Sequence, residues 1–405
     1  MSRILSALFP LVLIAMSVAA AGCMGDPSGD GDAGNGTDGV DTSAYPGRLA
    51  FSSSTDNALW VRDLAQNRIL YEAESYGEAL PNVITLQGPQ LSSADGHTLV
   101  YWRLGSVDGV LGAAAGQVVT VDLETGAEYA LPQELGGDLV RFTYTPSVSA
   151  DGSFVAYREA RIAGFSEPLT STTTFGIGVF DGANARTIVE DAGLTAGDVR
   201  LTADGAEVLY AVRGEQNDFE LFRVSASGGV PTRIVLDSHP DIDSLEYLSS
   251  SGWDMSDDGG VIIFAAGIAD GAPGAGRVGA FVYRAGEITR VGELSDVMQV
   301  DVSADGSYVL VFARVPSTTA RALYVAESSS PTPTRLLQRD VLSGDILAGG
   351  RLNDDGSAIA FGDGKNFMPE LRLIRRDGSD EVLVISEDLD ERFQHTGVLL
   401  PLSFR

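Results

Sequence analysis

A four-residue motif, Ser/Thr/Asn-x-Asp-Gly, recurs six times along this chain at a nearly constant interval. Successive motif aspartates lie 56, 53, 54, 47 and 50 residues apart. A self-similar period of this size indicates one supersecondary unit that is copied and stacked. The six copies are Ser93–Gly96, Ser149–Gly152, Thr202–Gly205, Ser256–Gly259, Ser303–Gly306 and Asn353–Gly356.

The residues around each motif predict a unit of four antiparallel β-strands. Asp-Gly between two apolar runs is a strong hairpin signal, and a type I′ turn there requires positive φ at both residues. An apolar strand follows every Asp-Gly, as in Val208–Val212, and a third strand follows it, as in Glu220–Val224. A short turn and a fourth strand, such as Arg233–Leu236, complete the unit. Four such strands in about 50 residues are typical of a β-propeller blade.

A seventh unit precedes the six motif copies. Gly47–Phe51 fits a second strand, with Pro46-Gly47 in place of Asp-Gly, but the unit lacks a first strand. The chain ends in a strand-like run, Gly397–Phe404, that has no hairpin of its own. We therefore predict an all-β, seven-bladed β-propeller, with six or eight blades as the alternatives, in which the C-terminal strand joins the N-terminal blade. Such closure removes exposed sheet edges.

These repeats resemble the TolB-type, WD-like propeller repeat over roughly residues 46–405. The family favours Ser-Pro-Asp-Gly, whereas every copy here has alanine or aspartate in place of the proline. Trp253 lies near one motif, but displaced from the position of the family's characteristic tryptophan. The resemblance implies the propeller fold and, as one option for function, a scaffold role in the envelope-spanning Tol system.

The N-terminal segment is typical of a bacterial lipoprotein. Residues 1–22 contain Arg3 and then an apolar run, which predicts a secretory signal peptide. The sequence Ala20-Ala21-Gly22-Cys23 resembles a lipobox, so we expect lipid attachment at Cys23, with an ordinary signal cleavage as the alternative. Met24 at the next position favours the outer membrane. Residues 23–45 are rich in glycine and aspartate and predict a flexible tether, which leaves residues 46–405 as the propeller domain.

The composition is strongly acidic, with 56 Asp and Glu residues, 27 Lys and Arg residues and a formal net charge of −29. Phosphate binding needs a basic surface, so nucleic acid is excluded as an expected partner. The sequence accordingly predicts contact with a membrane only through the lipid anchor, and a protein or glycan of the cell envelope as the partner.

The propeller has two faces, and they differ in loop length. The turns between first and second strands, and between third and fourth, are short and share one face, here called the short-turn face. The opposite, long-loop face carries the other connections, which are longer and rich in carboxylates. Function tends to lie on long loops held by a rigid scaffold. Two of these loops, Leu104–Gly116 and Glu159–Thr174, carry apolar residues that we take as candidate binding residues: Val110, Leu111, Ile162, Phe165 and Leu169.

Motifs for catalysis are scarce. The sequence has no Gly-x-Ser-x-Gly elbow, no HExxH, no P-loop and no dinucleotide fingerprint. A weak metal candidate is the cluster of Asp237, His239, Asp241 and Asp243 on the long-loop face, because hard cations favour carboxylate ligands.

We therefore expect a non-catalytic binding module without a cofactor. The alternative is a glycan lyase or hydrolase that uses carboxylates at the channel mouth, with or without a divalent cation.

Overall fold

A computed structural model describes the chain as β-strands and turns, without a helix in the described residues. Within the described ranges the chain therefore has no helix of the length and apolarity needed to cross a bilayer. The chain divides into two units, Met1–Asn35 and Gly36–Arg405, and all described residues belong to the second. The described residues are 42–45, 47–53, 59–73, 90–92, 96–106, 114–131, 135–136, 139–163, 172–190, 196–213, 218–245, 252–340, 345–365, 368–386 and 399–405.

The strands form seven antiparallel sheets, which confirms the predicted seven-bladed propeller. Blade 1 consists of β1 (Arg48–Ser53), β2 (Leu59–Asp63), β3 (Arg68–Ala73) and β30 (Leu399–Phe404). Blade 2 consists of β4 (Gln90–Leu91), β5 (Thr98–Ser106), β6 (Ala114–Asp122) and β7 (Ala127–Ala130), and blade 3 of β8 (Leu135–Gly136), β9 (Leu139–Val148), β10 (Val155–Ala163), β11 (Thr172–Phe180) and β12 (Ala185–Val189). Blade 4 consists of β13 (Ala196–Leu201), β14 (Glu207–Arg213), β15 (Phe219–Ser225) and β16 (Thr232–Ile234), and blade 5 of β17 (Ile242–Ser244), β18 (Trp253–Met255), β19 (Val261–Ile268), β20 (Val278–Arg284) and β21 (Glu287–Arg290). Blade 6 consists of β22 (Val297–Val302), β23 (Tyr308–Arg314), β24 (Ala320–Glu327) and β25 (Ser330–Asp340), and blade 7 of β26 (Ile346–Leu352), β27 (Ala358–Lys365), β28 (Met368–Arg375) and β29 (Val382–Ser386).

The C-terminal strand closes the ring as predicted. β30 pairs antiparallel with β1, placing Leu49 opposite Phe404 and Ser53 opposite Leu399, and supplies the missing first strand of blade 1. The first described residues already belong to this packed region, because Thr42 and Tyr45 are buried and Thr42 donates to the Leu64 carbonyl. Packing therefore begins ahead of the boundary expected at Pro46.

The motif turn differs from the expected type I′ turn. Gly152 is in the left-handed region at φ 72°, but no motif aspartate is among the described non-glycine residues with positive φ. The Gly152 amide instead donates to the Ser149 carbonyl, so Ala150 and Asp151 are the central residues of a four-residue turn and the glycine is its last residue. Asp151 is used as an acceptor, taking hydrogen bonds from the Ser149 hydroxyl at 2.7 Å and the Ser153 amide at 3.0 Å.

In blade 2, Ser92 and Thr98 exchange hydrogen bonds, because the Ser92 amide donates to the Thr98 carbonyl and the Thr98 amide donates to the Ser92 hydroxyl. The two residues are six positions apart, whereas the corresponding pairs Ser149 and Phe154, and Thr202 and Glu207, are five apart. Residues 93–95 of the predicted motif copy lie outside the described part of the chain.

The second residue of the motif links neighbouring blades through the main chain. The amide of Ala150 donates to the carbonyl of Ala203, that of Ala203 to Asp257, and that of Asp257 to Ala304, at 2.7–2.8 Å. A proline has no amide hydrogen and could not take part. The alanine or aspartate at this position, where the resemblance led us to expect proline, thus has a structural use in this chain.

The core lies between adjacent blades rather than at one centre. Ile263 and Val282 of blade 5, for example, pack against Val300 and Val311 of blade 6 in one buried cluster. The motif glycines permit this close approach, as a Cβ added to Gly205 would lie 2.7 Å from the Phe154 ring of the preceding blade. The result is a ring with one strand of each blade facing a central channel.

Candidate binding surfaces

Most of the predicted binding residues lie outside the described part of the chain. Val110, Leu111, Phe165 and Leu169 are outside it, and so is the lipid-attachment residue Cys23. Ile162 is described at the backbone level, within β10, where it pairs with Thr173 on one side and Val140 on the other. The assignment of these residues to a binding surface stays a prediction.

The two long loops of blades 2 and 3 are shorter than expected because their ends are strands. In blade 2 the β5–β6 pairing continues to Ser106 opposite Ala114, and in blade 3 the β10–β11 pairing continues to Ala163 opposite Thr172. Each hairpin contains nine paired positions, compared with seven for β14–β15 in blade 4. Two additional residues per strand lengthen a hairpin by about 7 Å.

The base of the blade 3 hairpin is fixed by a buried carboxylate. Glu159 is fully buried, and its Oε1 lies 2.7 Å from Nη2 of Arg161 and accepts a hydrogen bond of 2.8 Å from the Thr187 hydroxyl. The guanidinium of Arg158 lies 4.7 Å from the centre of the Phe175 ring. These contacts join β10, β11 and β12 where the hairpin leaves the blade.

In the predicted metal cluster, Asp237 and Asp241 each pair with an arginine. Asp237 accepts a hydrogen bond of 3.0 Å from Arg233, and Asp241 lies 3.4 Å from Arg290. The Nδ1 atom of His239 accepts from the Asp241 amide at 3.1 Å. Among the residues that the structure describes, no group of three or more His, Cys, Asp or Glu side chains is arranged to hold a metal.

The central channel contains charged residues that the sequence analysis did not select. A cavity of about 260 Å³ lies in the channel and extends to the motif turns of the short-turn face. Four aspartates and three arginines line it: Asp198, Asp254, Asp257, Asp301, Arg200, Arg351 and Arg405. Four of these seven stand two residues before a motif, a position that faces the channel and that a sequence comparison of the repeats could have identified.

Ion pairs connect these residues from blade to blade. Arg200 of blade 4 donates from Nε to Asp254 of blade 5 at 3.0 Å, and Arg351 of blade 7 donates to Asp301 of blade 6 at 2.8 Å. The other oxygen of Asp301 accepts from the Leu352 amide at 2.7 Å. The side chains of Asp254 and Asp301 also hydrogen-bond each other, so a carboxyl pair lies between two guanidinium groups.

The two carboxyl groups of this pair titrate in opposite directions. Burial raises the pKa of Asp301 to about 7, against the attraction of Arg351 and with the repulsion of Asp254. Burial also acts to raise the pKa of Asp254, but Arg200 and then Arg351 outweigh it and lower that pKa. Burial raises the pKa of Asp198, opposed by Arg200 and Arg158. The pair therefore holds one proton below neutral pH, as coupled carboxyl groups do.

We predict that Asp301 makes the free energy of unfolding fall as the pH rises towards neutrality. Because the folded-state pKa exceeds the ordinary value of 3.8, the contribution is complete below that value, declines above it and is lost once the pH passes about 7. Asp301→Asn retains the donor that the proton supplies. Urea unfolding at pH 5 and pH 8 should show the wild type losing about 2 kcal/mol relative to D301N. The exposed Asp270→Asn is the control, and parallel changes in D301N and wild type would contradict the shared proton.

No protein-family model and no curated protein matches this sequence. Solved structures do match. An oligogalacturonate lyase from Vibrio parahaemolyticus is 14% identical with a TM-score of 0.53, over 85% of this chain and 92% of that chain. An oligogalacturonate lyase in complex with manganese is 15% identical with a TM-score of 0.53, over 85% and 87%. TolB from Acinetobacter baumannii is 13% identical with a TM-score of 0.43, over 87% and 79%.

At these identities the matches bear on the fold alone. They include enzymes as well as TolB, so they leave the function of this chain undecided. The strand order shows that the chain is a seven-bladed β-propeller, and the structural matches bear on the propeller fold.

Proposed function

We propose that the chain is a non-catalytic binding module that holds a protein partner of the cell envelope on its long-loop face, through the hairpins of blades 2 and 3. The observation that carries the proposal is the paired length of β5–β6 and β10–β11, nine positions each, compared with eight for the corresponding hairpin of blade 7 and five to seven in the other blades. In blade 3 a second strand pairing supports the proposal, because β9 also pairs with β10 as far as Leu139 opposite Ala163.

A paired extension suits binding better than an unpaired loop of the same length. The backbone of β10 is hydrogen-bonded on both sides, and its base is held by the buried contacts of Glu159. A surface that is already ordered loses less conformational entropy when the partner binds. The apolar residues expected at the tips, including Phe165 and Leu169, then supply the contact area.

The same proposal places the module at the envelope through Cys23. Lipid attachment there, with residues 24–45 as a tether, would hold the propeller at the outer membrane while leaving both faces accessible. The tether has a root-mean-square reach of roughly 25 Å if it behaves as a Gly-rich coil.

We predict that shortening the blade 3 hairpin abolishes capture of the partner without unfolding the ring. Arg161 and Thr174 are directly paired, so residues 162–173 can be replaced by Asn-Gly, which closes a two-residue hairpin. This cut retains Glu159, Arg161 and Thr187. Capture of envelope proteins by the immobilised variant, measured by quantitative mass spectrometry, should fall at least about tenfold, which corresponds to the loss of one hot-spot residue.

The matched control changes the opposite face. Val230 lies in a short turn and is 91% exposed, so Val230→Asp should leave both capture and melting temperature unchanged. Equal capture by the shortened variant and the wild type, with both melting cooperatively, would reject this surface. Loss of capture in Val230→Asp alone would move the site to the short-turn face.

The glycan lyase or hydrolase stays as the alternative. It predicts activity on a polysaccharide panel and a higher melting temperature in manganese or calcium, since a ligand at 100 times its dissociation constant stabilises the folded state by about 2.7 kcal/mol. Activity retained after the hairpin is shortened would favour this alternative over the binding module.

A further inference from the structure

Thr145 has a backbone conformation that is unusual for a β-branched residue. It lies in β9 at φ 47°, in the left-handed region, where the pairing with β10 shifts register between Ala156 and Arg158. The corresponding position of blade 7, four residues before the motif, is Gly349 at φ 103°. A glycine meets such a conformation without strain, whereas threonine does not. Strain of this kind is often retained at functional sites.

The bulge directs the Thr145 side chain to the channel. Thr145 lines the cavity, and its hydroxyl oxygen is buried without a hydrogen-bond partner among the described residues. Buried hydroxyl groups normally have a partner. A ligand in the cavity would provide one.

The three arginines of the channel also retain N–H groups that make no hydrogen bond to the described residues. Arg200 uses Nε and Nη1 for Asp254 and the Val199 carbonyl, and Arg351 uses Nε and Nη1 for the Leu402 carbonyl and Asp301. Arg405 uses Nη1 for Asp354. The Nη2 groups of these three arginines make no hydrogen bond to the described residues. The aspartates thus fix the guanidinium groups in place while each keeps a donor.

The rest of the wall is partly apolar. Six of the seven charged lining residues come from blades 4 to 7, and Arg405 follows β30 of blade 1. The lining residues of blades 1 to 3 include the apolar Leu91, Val148, Leu402 and Phe404 beside the polar Gln90, Thr145 and Ser403. The ligand that fits therefore accepts several hydrogen bonds at one end and has a short apolar body. The cavity volume of about 260 Å³ equals that of about nine water molecules at 30 Å³ each.

We propose that this cavity binds a small carboxylate, with its two oxygens on the free arginine donors and the Thr145 hydroxyl and its apolar body against the opposite wall. Since the free donor of each arginine is its Nη2 group, the carboxylate would take single charge-assisted hydrogen bonds from separate arginines rather than a bidentate pair from one. The carboxylate has two sources, a free carboxylic acid or the C-terminus of a peptide. The site is separate from the hairpins of the long-loop face, so it does not depend on the proposed function.

The net charge of the protein does not oppose this site decisively. At physiological ionic strength, charges are screened over about 8 Å, so the −29 charge acts weakly beyond that distance. Inside the channel the three arginines lie among partners that already neutralise much of their charge, and the remaining donors act at hydrogen-bond distance.

Calorimetric titration of the whole protein tests the proposal with matched pairs of probes. The free-acid arm compares 4-methylpentanoate with 4-methylpentanamide, and the peptide arm compares acetyl-Ala-Leu with a free or an amidated C-terminus. Saturable binding of the carboxylate member of one pair, at least about tenfold tighter than its amide, is expected. The arm that responds identifies the source of the carboxylate.

Two variants connect the binding to the named residues. Arg200→Lys keeps the charge but loses the Nη2 donor, and Thr145→Gly removes the hydroxyl and the strained conformation together. We expect each to weaken carboxylate binding about tenfold, with Thr145→Gly melting at or above the wild-type temperature. Arg314→Lys, on an exposed strand end, is the control and should bind as the wild type does. Equal affinity for acid and amide, the absence of saturable binding in both arms, or unchanged affinity in both channel variants would overturn the proposal.

Discussion

Replacing Phe404 by alanine is expected to lower the free energy of unfolding by about 3–5 kcal/mol. Phe404 is 2% exposed and lies in the strand that closes the ring, opposite Leu49. Its side chain belongs to a buried cluster that also contains Trp60 of blade 1 and Leu371 of blade 7. The truncation therefore leaves a cavity at the point where the first and last parts of the chain meet.

Urea unfolding followed by tryptophan fluorescence measures the loss. Met298→Ala is the control because Met298 is 42% exposed, and its expected change is within about 0.5 kcal/mol. Phe51→Ala is the second comparison, since Phe51 lies in the same cluster but comes from the N-terminal strand β1. Similar losses in F404A and F51A would show that both ends contribute to one cooperative unit. A loss below about 1 kcal/mol in F404A alone would contradict closure of the ring by β30.

The propeller and its closure were predictable because each rests on a local pattern. In six of the seven blades the motif marks the turn that precedes the blade's second strand. The strand-like run at Leu399–Phe404 has no hairpin of its own and therefore needed a pairing partner elsewhere in the chain. The type of turn was predicted wrongly. Asp-Gly suggested two residues with positive φ, whereas the structure uses the aspartate as a hydrogen-bond acceptor and only the glycine for positive φ.

The extended hairpins were missed because their residues look like loop residues. Arg158–Arg161 contains three charged residues and one alanine, and Thr172–Thr174 is entirely polar. Pairing between these two segments, and with β9, makes them strands. Such pairing depends on tertiary context, so it cannot be predicted from the sequence of a single segment.

The channel residues were missed for a different reason. In a chain with 56 acidic residues a single aspartate carries little information, and the meeting of Asp254 with Asp301 requires the relative register of two blades. Comparing the repeats at a fixed distance before the motif would have found Arg200, Asp254, Asp301 and Arg351, because those positions face the channel. The strained conformation of Thr145 has no sequence signal beyond the proline that follows it.

Replacing Asp363 by alanine is expected to cost about 3–5 kcal/mol of stability. Asp363 is fully buried, in β27 of blade 7, and Arg339 from β25 of blade 6 contacts it in a bidentate geometry at 2.7 and 3.0 Å. Arg372 also approaches it, at 3.6 Å. Alanine would leave two largely buried guanidinium groups without their central carboxylate, although Glu370 and Glu381 still contact Arg372.

The measurement is urea unfolding at neutral pH, with Asp237→Ala as the matched control. Asp237 also pairs with an arginine, Arg233, at 3.0 Å, but both side chains are at least 40% exposed, so its loss should cost less than about 1 kcal/mol. Asp363→Asn keeps the shape and removes the charge, and its cost should lie between the two. The difference arises from burial: the exposed pair is replaced by water, whereas the arginines beside Asp363 cannot be fully rehydrated inside the interface between blades 6 and 7. Equal effects of D363A and D237A would mean that this ion pair does not connect the two blades.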